Sequence, residues 1–361
     1  MIELRSPSAL QSPRGRLRRF ALVGLATASL AACGGGDPGD AAGDGADDAA
    51  SDVADGAAAL DAALRGDGSG DSDAGLGGGG AEGGGSDGGS AGDAAQVAPL
   101  QAPSGGYAAI FLDVGQGDAT LLVAANGETA LIDGGVSADL LRKRLGRLGV
   151  KRIDLVIATH ADADHISGLV VALEDFAVGR VLWNGVGKDT QVFAGFFAAI
   201  AAEAGVVVSI AARGQTVQFG GLSLEILHPT GGAKDDADHN NQSVVFQVGC
   251  AGAWLLMPGD AEAPAEASML DSKQISDVDV LHVGHHGSES GTTPAWLAAA
   301  APEQAIISAG AQNAYGHPDA VVLERLKGVG AAIWRTDTGW DDDSLWMHAD
   351  CKGGLSFGRV P

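Results

Sequence analysis

Residues 159–165 read THADADH and combine four side chains that can bind metal ions. This stretch directly follows the apolar run 155–158, which is typical of a buried strand. A loop at a strand end can turn several side chains toward one point, whereas successive strand positions point to opposite faces. Two imidazoles and two carboxylates so close together repel or desolvate one another unless a cation joins them. The stretch therefore predicts a metal-binding loop, and the alternative is a solvated acidic turn in which Asp164 caps the next helix.

Two further apolar runs end in residue types that bind metals. The run 254–257 leads through Pro-Gly to Asp260, and the run 278–283 leads through one glycine to His285 and His286. Three strand ends that each finish in a metal-binding side chain form the constellation expected of a two-metal hydrolase. Together they outweigh the acidic-turn alternative, although any one of them alone would be weak.

Short strands alternate with helices around these motifs. Runs at 108–112, 120–123 and 129–132, separated by Gly or Asn, predict an antiparallel meander. Further strands are predicted at 155–158, 222–227, 244–248, 254–257, 278–283, 305–308 and 333–336, and helices at 140–148, 166–173, 193–202, from 261 onward and at 320–326. Helices between strands in two successive halves indicate two sheets packed face to face with helices outside.

The motifs, in this order, resemble the metallo-β-lactamase superfamily, and specifically the extracytoplasmic hydrolase domain of ComEC-type DNA-uptake proteins. The resemblance runs from about residue 109 to 337. It is carried by FLDVGQGDA (111–119), LIDGG (131–135), the 160–165 motif with GL behind it (168–169), NNQS (240–243), GD (259–260), HHGS (285–288), YGHP (315–318) and RTD (335–337). So many ordered matches exclude chance similarity.

This resemblance implies an α+β fold, a four-layer αββα sandwich with the active site along the upper edge of the sheets. It also implies two divalent metal ions. One ion would be held by His160 and Asp162 and the other by Asp164 and His165, with Asp260 bridging them.

The His285-His286 pair supplies one more ligand by the same comparison. We assign it to His286, because the family commonly places the ligand directly before Gly. His285 would then face the substrate, where it neutralises phosphate or protonates the leaving oxygen. The alternative is that one of the two histidines only packs.

Two departures from the wider family bear on which metal is bound. Asp162, and the pair Asn240-Asn241, stand where many members have histidine, and the DNA-uptake branch shares both changes. A site poorer in nitrogen tolerates harder ions, so Mn²⁺ competes with Zn²⁺. His239 is an alternative ligand beside the asparagines, or else a loop residue.

The charges of such a site indicate its mechanism. A hydroxide held between two cations is a nucleophile at neutral pH, and Asp164 could orient it while binding metal. The candidates for hydrogen bonds to substrate, each with a loop-forming role as the alternative, are Asn240, Asn241, Ser243, Ser288 and His317. The residues interpreted as scaffolding near the site are Asp113, Gln116, Asp118 and Asp133.

The resemblance favours a phosphodiester substrate, with DNA as the first candidate. Of the chain's net charge of −24, residues 1–33 contribute +4, residues 34–103 contribute −13 and residues 104–361 contribute −15. Lys and Arg dominate nonspecific nucleic-acid affinity, so an acidic domain argues for a weakly binding nuclease or a small phosphodiester. One basic stretch, 142–152, is either a phosphate-binding patch or a solvated helix face. The alternatives are a lactonase, a β-lactamase, a choline-phosphate esterase or a non-catalytic binding module.

The sequence before residue 104 predicts export and anchoring. Residues 1–33 combine a charged region with arginines at positions 14, 16, 18 and 19, a short apolar run at 20–30 and the sequence LAAC, which resembles the lipobox of bacterial lipoproteins ending at Cys33. The alternatives are an ordinary secretory peptide and a twin-arginine signal. Residues 34–103, almost entirely Gly, Ala, Asp and Ser, predict a disordered tether, with a calcium-binding repeat as the alternative. We therefore expect a lipid-anchored protein at the periplasmic or outer cell surface.

Two more features complete the sequence-based picture. Cys250 and Cys351 are the cysteines of the 104–361 domain, and in an oxidising compartment they form either a disulfide or two separate buried thiols. After residue 33 no apolar run is long enough for a transmembrane helix, so we expect no transmembrane channel in this chain.

Overall fold

The structure is a computed structural model that describes residues 101–231, 238–250, 252–339 and 342–360, together with the backbone of Leu10–Gln11. The predicted lipidation site Cys33, the rest of the predicted signal peptide and the tract 34–100 lie outside the described residues. Ala102, which the sequence assigns to the tether, packs against the hydrophobic core.

Sixteen strands are described, and they form two sheets. In chain order they are β1 (Leu10–Gln11), β2 (Tyr107–Phe111), β3 (Thr120–Ala124), β4 (Thr129–Ile132), β5 (Arg152–Ala158), β6 (Ala177–Trp183), β7 (Val207–Ile210), β8 (Thr216–Phe219), β9 (Leu222–His228), β10 (Val245–Cys250), β11 (Ala253–Met257), β12 (Val280–His282), β13 (Gln304–Ile307), β14 (Ala332–Arg335), β15 (Leu345–Ala349) and β16 (Gly354–Arg359). The first sheet has the order β1-β16-β15-β2-β3-β4-β5-β6-β7, and the second has the order β14-β13-β12-β11-β10-β9-β8.

The direction of the strands places the important loops at one edge. Strands β2, β3 and β4 form the expected antiparallel meander, with Leu122 opposite both Ala109 and Ala130. Strands β4 to β7 are parallel to one another, and so are β11 to β14. Because the carboxyl ends of parallel strands meet at the same sheet edge, the loops after β4, β5, β11, β12 and β13 gather there.

Within the described part of the chain, six α-helices cover the outer faces of the two sheets. They are α1 (Ala138–Arg147), α2 (Ala163–Asp175), α3 (Gln191–Ala202), α4 (Ala263–Asp271), α5 (Pro294–Ala300) and α6 (Ala320–Gly328). The hydroxyls of Ser137, Thr190 and Thr293 accept backbone N–H bonds at the starts of α1, α3 and α5, which satisfies donors that the helix leaves free.

Three apolar clusters fill the spaces between the four layers. Along β2 the side chain of Phe111 points between the sheets, whereas Ile110 points to the layer under α1, α2 and α3. Leu281 and Trp296 lie in the third cluster, between the second sheet and its helices. The alternation of Ile110 and Phe111 along β2 is the two-residue period of a strand buried on both faces. The predicted four-layer αββα sandwich is confirmed.

A disulfide joins the two sheets at the edge opposite the gathered loops. Cys250 ends β10 in the second sheet, Cys351 lies in the turn between β15 and β16 in the first sheet, and their Cα atoms are 5.2 Å apart. Because 101 positions separate the two cysteines, the bond removes much of the freedom of the unfolded chain. A loop of that length corresponds to about 4.7 kcal/mol of stabilisation in the chain-entropy estimate.

Six described strands and helices carry no prediction from the sequence: β1, β6, β7, β8, α5 and β16. Strand β6 contains Gly179, where a Cβ would lie 2.9 Å from the backbone oxygen of Asp154 on the neighbouring strand. The start of α5 had a usable signal, since Thr293-Pro294 is a typical cap followed by proline in the first helical turn. Among the described helices, none is long and apolar enough to cross a membrane.

Candidate metal centre

The loops at the gathered edge bring together acidic and imidazole side chains from both sheets. The first sheet contributes His160, Asp164 and His165 after β5, and the second contributes Asp260 after β11 and His286 after β12. Ligating atoms of His160, His165 and Asp260 lie within 4.8 Å of one another, as do those of Asp164, His165 and His286. The two sets share His165, so they form one continuous cluster.

Asp260 lies at the centre of this cluster. Its Oδ2 atom is 3.2 Å from His165 Nε2, 3.5 Å from His286 Nε2 and 3.9 Å from His160 Nε2. A second carboxylate lies beside His286: Asp164 Oδ2 is 3.3 Å from the Nε2 atom of His286. The carboxylate of Asp260 thus lies among the three histidines, where the bridging role predicted from the sequence would require it.

The nitrogen and oxygen atoms that could bind a metal ion at this centre are buried and make no hydrogen bond. They are the Nε2 atoms of His160, His165 and His286, and the Oδ1 atom of Asp260. A buried polar atom without a hydrogen bond costs free energy, and four that converge on one point require an explanation. Imidazole nitrogens and carboxylate oxygens are the ligands of zinc, manganese and iron, so the residues present fit divalent metal ions.

Each histidine is held from behind through its other ring nitrogen. The Nδ1 atom of His165 lies 2.8 Å from Asp133 Oδ2, and that of His286 lies 3.1 Å from Asp118 Oδ1. Such carboxylate–histidine pairs fix the ring orientation and leave Nε2 for the metal. Asp118 and Asp133 were interpreted only as scaffolding, and the structure gives both of them this orienting position.

His160 is oriented by weaker partners than the other two histidines. Its Nδ1 atom lies 3.1 Å from Thr159 Oγ1 and 3.5 Å from Ser243 Oγ, and neither hydroxyl carries a charge. Thr159 is itself fixed, because its amide and hydroxyl both donate to the carboxylate of Asp133. The threonine before the histidine therefore links the orientation of His160 to that of His165.

The backbone at the site adopts conformations that ordinary residues avoid. His285 and His286 have φ values of 49° and 53°, in the left-handed region. Non-glycine residues in that region store strain, which is typical of functional sites. Gly117 has a φ of 103°, and a Cβ there would lie 1.9 Å from the backbone oxygen of Asp164, so glycine lets this turn approach the metal-binding loop.

The electrostatics of the cluster differ between its histidines. Burial lowers the pKa of His160 to about 4, and the nearby charge of His165 acts in the same direction. Burial also disfavours charge on His165 and His286, but the carboxylates beside them outweigh it and raise both pKa values well above the usual range. Asp260 is also buried, yet the charges of His165 and His286 hold its pKa well below the usual range.

The structure does not bring Asp162 into the cluster. Its Oδ1 atom lies 2.5 Å from Lys188 Nζ, and both side chains are about a third exposed, at 30% and 31%. Asp162 still acts on His160 at a distance, since its charge favours the protonated ring. Lys188 carried no prediction from the sequence, because nothing in a loop lysine indicates which carboxylate it will contact.

His285 lies at the rim of the cluster, as the sequence analysis expected for the partner of His286. Its Nε2 atom is 3.8 Å from Asp260 Oδ2, and its Nδ1 atom is 3.1 Å from both Glu262 Oε1 and Ser290 Oγ. The side chain is 22% exposed, whereas that of His286 is 2% exposed. His285 is thus the member of the pair that solvent and a substrate can reach.

Two of the proposed substrate contacts are engaged within the protein. The side-chain oxygen of Asn241 accepts hydrogen bonds from the backbone amides of Glu262 and Ala265, at the start of α4. Ser243 is fully buried, and its hydroxyl accepts the amide of Asp260 at 3.2 Å. Both side chains hold the loop that carries Asp260. For these two residues the structure agrees with the loop-forming role that the sequence left as the alternative to substrate binding.

The other proposed contacts lie closer to solvent. Asn240 donates to Glu262 Oε1 at 3.3 Å, and the hydroxyl of Ser288 lies 3.0 Å from that of Ser290. The ring of His317 is 5.8 Å from that of His285, and its Nδ1 atom makes no hydrogen bond. That Nδ1 atom is buried and lies 3.7 Å from Asp319 Oδ2, so His317 borders the rim without offering this atom to a substrate.

One further buried histidine supports the site and carried no prediction from the sequence. His282 Nε2 lies 2.9 Å from Ser308 Oγ, and its Nδ1 atom is 3.6 Å from Asp118 Oδ2. The carboxylate of Asp118 thus lies between His282 and His286. The position of His282 within the apolar run that leads to His285-His286 was a signal from which this supporting role could have been predicted.

A groove between the first sheet and its surface loops lies away from this chemistry. It has a volume of about 610 Å³ and is lined by residues including Ile110, Leu121, Lys151 and Asp154. Residues 151–154 surround the beginning of β5, whereas the cluster lies beyond its end. This groove is therefore not part of the metal centre.

Comparison with known proteins agrees with this geometry. Residues 112–311 match the sequence profile of the metallo-beta-lactamase superfamily. ComE operon protein 3 of Bacillus subtilis is 31% identical over 249 residues, covering 63% of this chain and 31% of that protein. Competence protein ComA of Neisseria gonorrhoeae is 31% identical over 244 residues, covering 66% of this chain and 32% of that protein. The chain thus spans about a third of the length of these relatives.

Among solved structures, one match is the metallo-beta-lactamase fold protein YhfI from Bacillus subtilis. It is 14% identical with a TM-score of 0.42, and the match covers 64% of this chain and 98% of that one. The resemblance to ComEC-type competence proteins is confirmed by the curated relatives. With the profile matching more than half of its length, this chain belongs to the metallo-beta-lactamase superfamily.

Proposed function

We propose that this member of a family of metal-dependent hydrolases is a phosphodiesterase that cleaves nucleic acid, with DNA as its first candidate substrate. The observation that carries the proposal is the convergence of Asp164, His165, Asp260 and His286 from two sheets, with buried nitrogens and an oxygen that make no hydrogen bond. Two divalent ions, zinc or manganese, are the occupants that this donor set favours.

The protein supplies the geometry for such ions through the residues of the cluster. His160, His165 and His286 would hold them through Nε2, with Asp260 between them and Asp164 on the side of His286. Divalent ions in such a site make water nucleophilic at neutral pH and stabilise negative charge on phosphoryl oxygens.

His285 is the residue placed to exchange a proton with the substrate. Its Nδ1 atom is held by Glu262 and Ser290, and its Nε2 atom faces the cluster, 3.8 Å from Asp260 Oδ2. A ring fixed on one side and open on the other can donate a proton to the leaving oxygen of the cleaved ester.

The surface charge favours a substrate that is bound mainly at its scissile phosphate. Within the basic stretch 142–152, Arg144 is buried between Asp113 and Asp342, and Arg142 pairs with Asp139 and Asp175. These ion pairs neutralise the charge that a phosphate-binding patch would use, which supports the solvated-helix interpretation. Strong binding to long nucleic acids is therefore not expected.

The proposed role in the cell envelope, acting on DNA, rests on the predicted export signal and on the family resemblance of the motifs. The names of two of the relatives refer to the ComE operon and to competence. Lipid anchoring through Cys33, with the tract 34–103 as a tether, would place the hydrolase domain at the outer side of a membrane. The lipid anchor and the tether are parts of the proposal that rest on the sequence alone.

The proposal is tested with the purified protein, stripped of metal and reloaded with Zn²⁺ or Mn²⁺. We expect metal-dependent cleavage of bis-p-nitrophenyl phosphate and of DNA, lost in Asp164→Ala/His165→Ala. Asp175→Asn is a matched control, because Asp175 lies at the other end of the same helix and pairs with Arg142 at the surface. If the metal-loaded protein cleaves no phosphodiester, the proposal is wrong, and lactones and choline-phosphate esters become the substrates to assay.

A further inference from the structure

An exposed aromatic side chain lies beside the metal centre. Among the large apolar side chains of the described residues, Tyr315 is the exposed aromatic, at 69%. Its ring is parallel to that of His317, with an interplanar angle of 7° and centroids 5.9 Å apart. We call these two residues the aromatic platform.

The aromatic platform is the outer end of a series of rings that begins at the cluster. The ring of His286 is 6.0 Å from that of His285, which in turn is 5.8 Å from that of His317. Tyr315 follows on the solvent side. A molecule whose ester bond lies at the cluster would therefore extend past His285 onto the exposed face of Tyr315.

The loop that carries the platform is held in place without help from the tyrosine ring. The side chain of Asn313 donates to the backbone oxygens of Gly310 and His317, and it accepts the backbone amides of Tyr315 and His317. A ring with so much of its surface in water stabilises the fold little. Since four hydrogen bonds from one side chain already fix this loop, the tyrosine ring is not needed to close it.

The charge of the domain makes a stacking platform useful. Proteins that bind single strands without reading their sequence combine a basic groove with aromatic rings on which bases stack, and each base contributes about 1–3 kcal/mol. Here the basic component is weak, because residues 104–361 carry a net charge of −15 and the arginines of α1 are paired with carboxylates. Stacking is then the means of binding left beside the metal ions.

We infer that the aromatic platform stacks an unpaired base near the scissile phosphodiester, and that the substrate class is single-stranded nucleic acid. This inference rests on the proposed function and adds a substrate preference to it. A paired base is already stacked within its duplex, so the platform selects single strands or frayed ends. The preference depends on the base and only weakly on salt.

The kinetic test compares Tyr315→Ala, Tyr315→Phe and the unchanged protein on a single-stranded oligonucleotide. We expect Tyr315→Ala to raise KM about five- to a hundredfold with kcat little changed, and Tyr315→Phe to keep the original KM. An oligonucleotide with abasic residues around the cleaved bond is the matched substrate, on which the three proteins should have equal KM. Equal KM values on the normal oligonucleotide would overturn the inference while leaving the phosphodiesterase proposal intact.

A binding test gives a second readout that does not depend on turnover. A single-stranded oligonucleotide containing 2-aminopurine is titrated with the full chain in chelator, with anisotropy reporting binding and base fluorescence reporting stacking. We expect quenching with the unchanged protein and Tyr315→Phe, and loss of most of it with Tyr315→Ala. Quenching without cleavage in the metal-loaded protein would support the platform and overturn the phosphodiesterase proposal. Binding without quenching, or no binding at saturating protein, would overturn the platform.

Discussion

The two sides of the metal centre are built differently. The His286 side is formed by His286, Asp164 and Asp118. There the buried carboxylate of Asp118 orients the ring of His286, and Asp164 Oδ2 lies 3.3 Å from the Nε2 atom of that ring. On the His160 side, formed by His160, Asp162 and Lys188, two neutral hydroxyls orient the ring and a lysine pairs with the carboxylate.

This difference indicates that two metal ions would bind with unequal affinity. Carboxylates behind a ligating histidine raise its basicity and commonly contribute ten- to a hundredfold in metal affinity. A lysine that pairs with a carboxylate competes with the ion for it. We therefore expect the His286 side to fill first and the His160 side to fill second.

The largest effect is expected from Asp260→Asn, because Asp260 belongs to both sides. We expect loss of both binding steps and a fall in kcat/KM of about a thousandfold or more, since neither ion retains its bridging carboxylate. Metal content after dialysis and the rate on bis-p-nitrophenyl phosphate measure this. Glu262→Gln, two residues further on and in contact only with the rim, is the control that should keep its metal content. Loss of a single ion in Asp260→Asn would show that this residue does not bridge.

Asp118→Asn is expected to weaken the first binding step selectively. Asp118 orients His286 and touches none of the His160 side, so the tighter dissociation constant should rise about ten- to a hundredfold. Titration with a competing chelator separates the two steps. Asp113→Asn, in the same glycine-rich turn but paired with Arg144, should leave both constants unchanged. Equal weakening of the two steps would contradict the assignment of Asp118 to one side.

The pH dependence should also distinguish the two steps. In the metal-free protein the raised pKa values keep His165 and His286 protonated at neutral pH, so an ion must displace their protons. The first step should therefore weaken about tenfold per pH unit for each displaced proton as the pH falls through neutrality. His160, with a pKa of about 4, gives up no proton above pH 5. Calorimetry in two buffers of different ionisation enthalpy counts the protons, and no release in the first step at pH 7 would refute this.

The smallest effect is expected from Lys188→Met. Removing the ammonium group frees Asp162 for the second ion, which should tighten the second step about fivefold, a modest change because the pair is partly exposed. The first step should not change. Lys327→Met removes a lysine that pairs with Glu324 on α6 and serves as the control. An unchanged second step would show that Asp162 does not reach the ion even when it is free.

Much of the fold could be predicted from the sequence. The period of the apolar residues predicted the meander and most of the strands and helices, because burial on one or both faces determines that period. Strands β6 and β16 were less visible. Gly179 and Gly358 interrupt their apolar patterns, and at each position a Cβ would lie within 3 Å of a neighbouring strand or its side chains. Only the neighbouring strand makes glycine necessary there.

The site was predictable in its chemistry but less so in its partners. The strand-end motifs predicted which residues converge, and the assignment of His286 to the inside and His285 to the rim agrees with the geometry. The positions of Asp162, Asn241 and Ser243 depended on contacts with Lys188, the start of α4 and the amide of Asp260. Each of these contacts joins residues more than 15 positions apart, so no local pattern reveals it.

The sequence by itself determined the residue types and the strand ends at which they lie, and hence a metal-dependent hydrolase fold. Only the tertiary structure decided which ring nitrogen faces the ions, which carboxylate stands behind each histidine, and where the ring of Tyr315 projects. The reason is that a strand's hydrophobic period is written in consecutive residues. A ligand's orientation is fixed instead by hydrogen bonds to side chains that another strand brings near, such as Asp118 to His286 across 168 positions.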